Sequence, residues 1–212
     1  MNEGVAKKRA SELFGKQISK WTVGKYLGSG KTAFVCIAYR DHQKYAIKIF
    51  EKEFLDDKDI EELKIRLDRQ LKLVGKSHEN LIKIFAGGYC SESKCYYLIM
   101  DFLDAPSLSK LIKDLPRERI GPLISQIASA ARFLEDLNLV HRDIKPENIA
   151  VYPDFSRAIL LDLGVIRPLE KTEITDSTNS IRFVGTLRYS SPEFLLRQEK
   201  HTVEGWRALT FY

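Results

Sequence analysis

The stretch Tyr26–Tyr39 (YLGSGKTAFVCIAY) admits two readings that lead to different folds: a phosphate loop opening a helix, or a glycine-rich flap between two strands. A P-loop needs glycine, four residues, then Gly-Lys-Ser/Thr, with a helix beginning at the lysine. Here five residues separate Gly24 from Gly30, one too many. The run Ala33–Tyr39 is β-branched and aromatic, and a strand offers phosphates no helix N-terminus. The other reading is a hairpin flap, Gly28-x-Gly30-x-x-Ala33-x-Val35. Its glycines, with Ser29 between them, let bare amides approach phosphate oxygens. Alone, such a turn joins many ordinary hairpins, so its meaning depends on the motifs downstream in the chain.

Trp21–Leu27, Phe34–Tyr39, Tyr45–Phe50, Leu81–Ala86 and Cys95–Phe102 read as strands. One helix, Asp57–Val74, interrupts them, with Ile60, Leu63, Leu67, Leu71 and Val74 at helical spacing. After Asp104-Ala-Pro106 the pattern changes. Ser107 caps a short helix to about Asp114, and a longer one spans Pro122–Leu139 with Ile124, Ile127, Ala131, Leu134 and Leu137 as its stripe. Short strands at Ile149–Tyr152 and Ala158–Leu161 precede a hydroxyl-rich loop.

A net charge of +5 with scattered basic residues suits phosphate-rich ligands and gives little support for nucleic acid. No apolar run is long enough to span a bilayer, and the N-terminus lacks a signal-peptide core. Residues 1–20 read as a basic extension, solvated or docking, with Ala10, Leu13, Phe14 and Ile18 on one side of a short helix. Three cysteines, Cys36, Cys90 and Cys95, have no zinc spacing and fit a reduced, cytoplasmic setting. Cys90 and Cys95 could face each other across a hairpin, although buried structural thiols are the simpler reading.

The segment His141-Arg-Asp-Ile-Lys-Pro-Glu-Asn148 comes directly after the long helix. With the flap, Tyr45-Ala-Ile-Lys48, Asp162-Leu-Gly164 and Gly185-Thr-Leu-Arg-Tyr-Ser-Ser-Pro-Glu193, in that order, it resembles the eukaryotic-like protein kinase family over residues 21–212. The resemblance implies an α+β, bilobal fold. An antiparallel β N-lobe with one main helix takes residues 21–102, a hinge takes 103–106, and a mainly helical, incomplete C-lobe takes 107–212. It implies a serine/threonine protein kinase that transfers the γ-phosphate of ATP, with Mg2+, to a protein substrate. The alternative is a nucleotide-binding scaffold with weak or no catalysis.

In that resemblance Lys48 holds the α- and β-phosphates, Asp143 orients the attacking hydroxyl, and Lys145 offsets charge at the γ-phosphate. Asn148 and Asp162 are the metal ligands. Leu27, Val35, Ala46, Ala150 and Leu161 enclose adenine, beside the flap residues Gly28, Ser29 and Gly30. Met100 guards the back pocket, and the backbone of Asp101–Leu103 supplies hinge hydrogen bonds. His141 and Leu163, with Val74 and Ile84, form an apolar column.

The helix glutamate that normally pairs with the strand lysine falls at Gln70, a neutral amide that makes a weaker contact. Arg142 is the type that receives a phosphorylated residue of the activation loop, with Thr178 and Ser180 among the candidates. Thr186 orients Asp143 and Lys145 from the substrate side, and Glu204 supports the catalytic loop. The chain stops in an apolar stretch, Ala208–Tyr212, so the resemblance implies a large lobe that is truncated or completed by a partner. Nothing in the sequence sets an oligomeric state.

Overall fold

The computed structural model describes residues 2–30, 32–51, 57–163, 167–168 and 189. The chain divides into two compact units, Met1–Ser77 with Lys83–Leu103, and His78–Ile82 with Asp104–Tyr212.

The first unit is built on an antiparallel sheet of β1 (Gln17–Ile18), β2 (Trp21–Ser29), β3 (Phe34–Arg40), β4 (Gln43–Glu51), β5 (Ile84–Cys90) and β6 (Cys95–Asp101). Their order is β1-β2-β3-β4-β6-β5. The pairing of Ser29 with Phe34 makes the glycine-rich stretch a hairpin, closed by the Gly30 N–H donating to the Ala33 carbonyl at 2.8 Å. The flap reading therefore holds, and the P-loop reading fails because the turn leads into a strand.

Side chains alternate across a strand, so the sheet has two distinct faces. One carries Phe34, Cys36, Ala38, Ile47, Ile49, Tyr97 and Ile99 and is covered by α1 (Glu3–Leu13) through Ala6, Ala10 and Leu13. The Asn2 side chain caps α1 by accepting from the Gly4 N–H at 2.9 Å. Gly15, at φ 77°, stops it in the left-handed conformation that glycine adopts freely. The small alanines let the helix lie close to the strands. Arg9 then donates to Glu51 at 3.0 Å, satisfying a carboxylate that is only 2% exposed. The segment before Trp21 is thus docked on its own sheet rather than solvated. Phe14 departs from the expected apolar side and is exposed, because the helix ends before it.

The other face is defined by the register Val35↔Lys48↔Leu98 and Ala46↔Met100, which puts these five residues on one side. There α2 (Asp57–Leu71) packs on β5 at Gly87. A Cβ at Gly87 would lie 2.9 Å from the Tyr97 carbonyl oxygen and 3.2 Å from Leu71 Cδ2. Among the described side chains of α2, Ile60, Leu63, Leu67 and Gln70 are buried. The expected continuation to Val74 fails: Val74 is 42% exposed and Leu73 is buried instead. After Leu71 the N–H groups of residues 72–74 bond three residues back, which tightens the turn and brings residue 73 under residue 70.

The second unit contains α3 (Leu108–Leu111), α4 (Arg117–Asp136), β7 (Leu139–Val140), a 3-10 turn (Pro146–Asn148), β8 (Ile149–Val151), β9 (Ala158–Leu160) and β10 (Arg167–Pro168). β8 pairs with β9, and β7 with β10. Helix α4 begins at Arg117, so Pro122 lies inside the helix rather than at its start, where it forgoes the hydrogen bond of its missing N–H. Its buried face is Leu123, Ile127, Ala130, Ala131 and Leu134, so Ile124, a residue out of phase, is 64% exposed. Asn138 at φ 57° ends the helix, its N–H bonded to the Glu135 carbonyl at 2.8 Å.

Residues 78–82 belong to this unit. Leu160 donates to the Asn80 carbonyl, Ile82 donates to the Leu160 carbonyl, and the Asn80 side chain donates to the Ala158 carbonyl and to Gln126 Oε1. Among the described residues no helix is long and apolar enough to cross a membrane.

Gly87→Ala is expected to lose about 1–3 kcal/mol of stability by overpacking. Gly28→Ala, where a Cβ meets nothing within 4 Å, should stay within about 0.5 kcal/mol of the parent. Urea unfolding of the two variants checks the contrast.

Candidate functional site

In the second unit the chain leaves α4 through β7 and enters the loop His141–Asn148. The loop is fixed from three directions. His141 is fully buried, and its Nε2 donates to the Leu161 carbonyl at 2.9 Å. Its Nδ1 accepts from the Asp143 N–H at 3.3 Å. Both bonds fit the neutral imidazole with its proton on Nε2. Burial pushes the His141 pKa below the ordinary 6.5, outweighing the Leu161 carbonyl and the charges of Asp162 and Asp143, which favour protonation.

The second tie is Asn148. Its Nδ2 donates to the Asp143 carbonyl oxygen at 2.9 Å and to Asp143 Oδ2 at 2.9 Å. The third is Lys145, whose Nζ lies 2.8 Å from the same Oδ2. Asp143 is thereby held in one orientation by two donors, one of them charged. Arg142, between the two anchored residues, sits at φ 67°, and Asp162 at φ 46°. Left-handed backbone at two non-glycine residues costs of order 1 kcal/mol each and persists because the surrounding bonds over-determine it.

The β8–β9 hairpin supplies the remaining placement. Ile149 pairs with Leu160, so Asn148 stands opposite Leu161, whose N–H donates to the Asn148 carbonyl at 2.7 Å. Asp162 is the next residue, exposed, and Leu163 after it is buried. The hairpin register thus brings Asn148 and Asp162 to one end of the same unit. Both offer hard oxygen donors. Because Asn148 has committed its NH2 to Asp143, its Oδ1 is the atom left to face a cation, and this donor set fits Mg2+. Ala150, on the same hairpin, is buried, and Leu161 is partly buried.

In the first unit Lys48 is partly buried, with Nζ 5.6 Å from the centroid of the Phe50 ring on the same strand face. Val35, Ala46 and Met100 share that face by register. Leu27 lies exposed on β2, beside Gly28, where the β2–β3 register shifts. The Asp101 N–H donates to the Lys83 carbonyl at 3.0 Å, and Leu103 lies just beyond β6. Gln70 is buried, and its Nε2 donates to the Arg66 carbonyl at 3.3 Å. Two acids of α2 pair at the surface, Glu61 with Lys64 and Glu62 with Arg66. Thr178, Ser180, Thr186, Glu193 and Glu204 lie outside the described residues.

Two positioning residues carry no clear mark in the sequence. Gln126 Oε1 accepts from the Ala158 N–H at 2.7 Å, and its Nε2 donates to the Ser156 carbonyl at 3.0 Å, tying α4 to the hairpin. Asn80 joins the same network. The sole sequence signal is an amide beside the buried stripe of α4, a weak one.

The protein kinase domain model matches residues 21–206. An Aurora kinase of Saccharomyces cerevisiae is 33% identical over 203 residues, covering 89% of this chain and 50% of that protein. The mouse serine/threonine-protein kinase Sgk3 is 30% identical over 191 residues, covering 86% of this chain and 36% of its own length. Mouse serine/threonine-protein kinase DCLK2 is 30% identical over 202 residues, covering 91% of this chain and 25% of its own length. The chain belongs to the protein kinase family, in its eukaryotic-like serine/threonine branch. It spans half or less of the length of these relatives.

Because the folded state keeps His141 neutral, the unfolded chain binds more protons as pH falls below 6.5. The stability this histidine contributes is fully present above that value and is lost on descent toward its folded pKa. NMR of the imidazole nitrogens should show the Nε2–H tautomer persisting at about pH 6, with unfolding free energy declining below about pH 6.5. A His141 ring that titrates at its ordinary value would contradict the buried arrangement.

Proposed function

We propose that this chain is the core of a serine/threonine protein kinase that transfers the γ-phosphate of ATP to a hydroxyl on a protein substrate. The observation that carries the reading is the Asp143 carboxylate held by Lys145 and Asn148 within one loop. A carboxylate fixed in this way can accept the hydrogen bond of an attacking hydroxyl and take its proton as the oxygen–phosphorus bond forms. Lys145, beside it, offsets negative charge on the γ-phosphoryl oxygens during transfer. Lys48 binds the α- and β-phosphates.

Asn148 and Asp162 would hold Mg2+, which would supply positive charge to offset that of the triphosphate. Adenine rests against Leu27, Val35, Ala46, Ala150 and Leu161, with Met100 behind it. The backbone of Asp101–Leu103 gives the hydrogen bonds that orient the base, and the amides of Gly28, Ser29 and Gly30 cover the phosphates. Arg142 is the proposed receiver of a phosphate on the loop carrying Thr178 and Ser180. The same proposal assigns Thr186 to the substrate side and places the protein in the cytoplasm, without nucleic acid as a partner.

Gln70 favours a second reading, a nucleotide-binding scaffold with weak catalysis. A neutral amide turned to its own helix holds a lysine less firmly than a carboxylate does.

Assays with labelled ATP separate the two. The kinase reading expects label on protein and a fall of about 100-fold or more for Asp143→Asn, with ATP still raising the melting temperature of the variant. Nucleotide-dependent stabilisation without any transfer selects the scaffold. Transfer that survives Asp143→Asn undiminished overturns the role given to this carboxylate.

A further inference from the structure

Cys90 and Cys95 close the β5–β6 hairpin as direct cross-strand partners, and both are buried free thiols, Cys90 the more accessible at 7% against 0%. Opposite residues of antiparallel strands have Cα atoms about 4.5–5.5 Å apart. That lies inside the range of about 4.4–6.8 Å in which a disulfide closes without moving the backbone. The turn between them, Ser91–Lys94, ends with Lys94 at φ 50°.

The two thiols are not equivalent. Burial pushes Cys90 up, but the donors of Ser93, Ser19 and Glu92 outweigh it and hold the thiol below its usual value. Cys95 is pushed up to about 12, first by burial and then by the Glu51 carboxylate and Cys90, with Arg9 opposing. Cys36 is also buried and pushed up to about 11, and neither other cysteine is its cross-strand partner. Cys90 is therefore the more readily deprotonated member of the pair, and Cys95 the one that holds its proton.

We propose that Cys90 and Cys95 form a peroxide-oxidisable dithiol, with Cys90 as the attacking thiolate and Cys95 as the resolving thiol. The Cys90 sulfur attacks one oxygen of hydrogen peroxide, the O–O bond breaks, and Cys90 becomes a sulfenic acid as hydroxide leaves. Cys95 then attacks the Cys90 sulfur, the S–O bond breaks, and the disulfide forms with release of water, the Cys95 proton neutralising the hydroxide. The dithiol loses two electrons and the peroxide gains them. The site is independent of the phosphate-transfer reading, since none of its residues belongs to that machinery.

The reduced full chain, exposed to a small excess of hydrogen peroxide, tests this directly. Trypsin cuts at Lys94, between the two cysteines, so their disulfide joins two peptides in the mass map. The expected result is that linked pair with the loss of two hydrogens, formed about tenfold or more faster than any oxidation of Cys36. In Cys95→Ser the reaction should stop at a Cys90 sulfenic acid that dimedone captures. Oxidation of Cys36 before Cys90, or a Cys90 disulfide to another chain in place of Cys95, overturns the proposal. The map of the parent protein decides the matter even where the variant does not fold.

Discussion

The backbone of Leu161 is the point on which the arrangement of the loop 141–148 depends. Its carbonyl accepts from the buried His141 ring, and its N–H donates to the Asn148 carbonyl. One residue thus joins both ends of the loop 141–148, through its two flanking peptides, to the strand end that leads to Asp162. A neutral imidazole suits this position because it donates at one nitrogen and accepts at the other without placing a charge in a dry site. Asp143 is then oriented by short bonds within its own loop, and the left-handed residues Arg142 and Asp162 are the conformational cost of bringing the chain around.

The first unit solves a different problem, that of a sheet with two working faces. The apolar face closes under α1, where two alanines permit close approach and the Arg9–Glu51 pair satisfies a buried carboxylate. The opposite face keeps Val35, Ala46, Lys48 and Met100 in register beside α2. Gly87 sets how near α2 can come, which makes a residue without a side chain one of the determinants of that face.

Much of this was legible in the sequence because the signals were local. The strand after the flap excluded a P-loop, and the order of short motifs pointed to a family that the domain match then showed. Phase at the ends of elements was harder to read. Val74 and Ile124 fit a helical stripe on paper, yet the tightened turn after α2 and the true phase of α4 expose both. Helix α1 was ambiguous because Ala6 and Ala10 carry little hydrophobic signal, although they pack tightly. The amide network of Asn80 and Gln126 joins residues far apart in the chain, and no periodicity reports such pairings.

On the proposed reading the loop 141–148 is already arranged for nucleotide and metal, and a crystal structure with magnesium and a non-transferable ATP analogue tests that claim most directly. The prediction is a metal ligated by Asn148 Oδ1 and the Asp162 carboxylate, with Asn148 Nδ2 still bonded to Asp143 and His141 still bonded to Leu161. A nucleotide bound with its metal away from these two residues, or an Asn148 amide turned off Asp143, would contradict it.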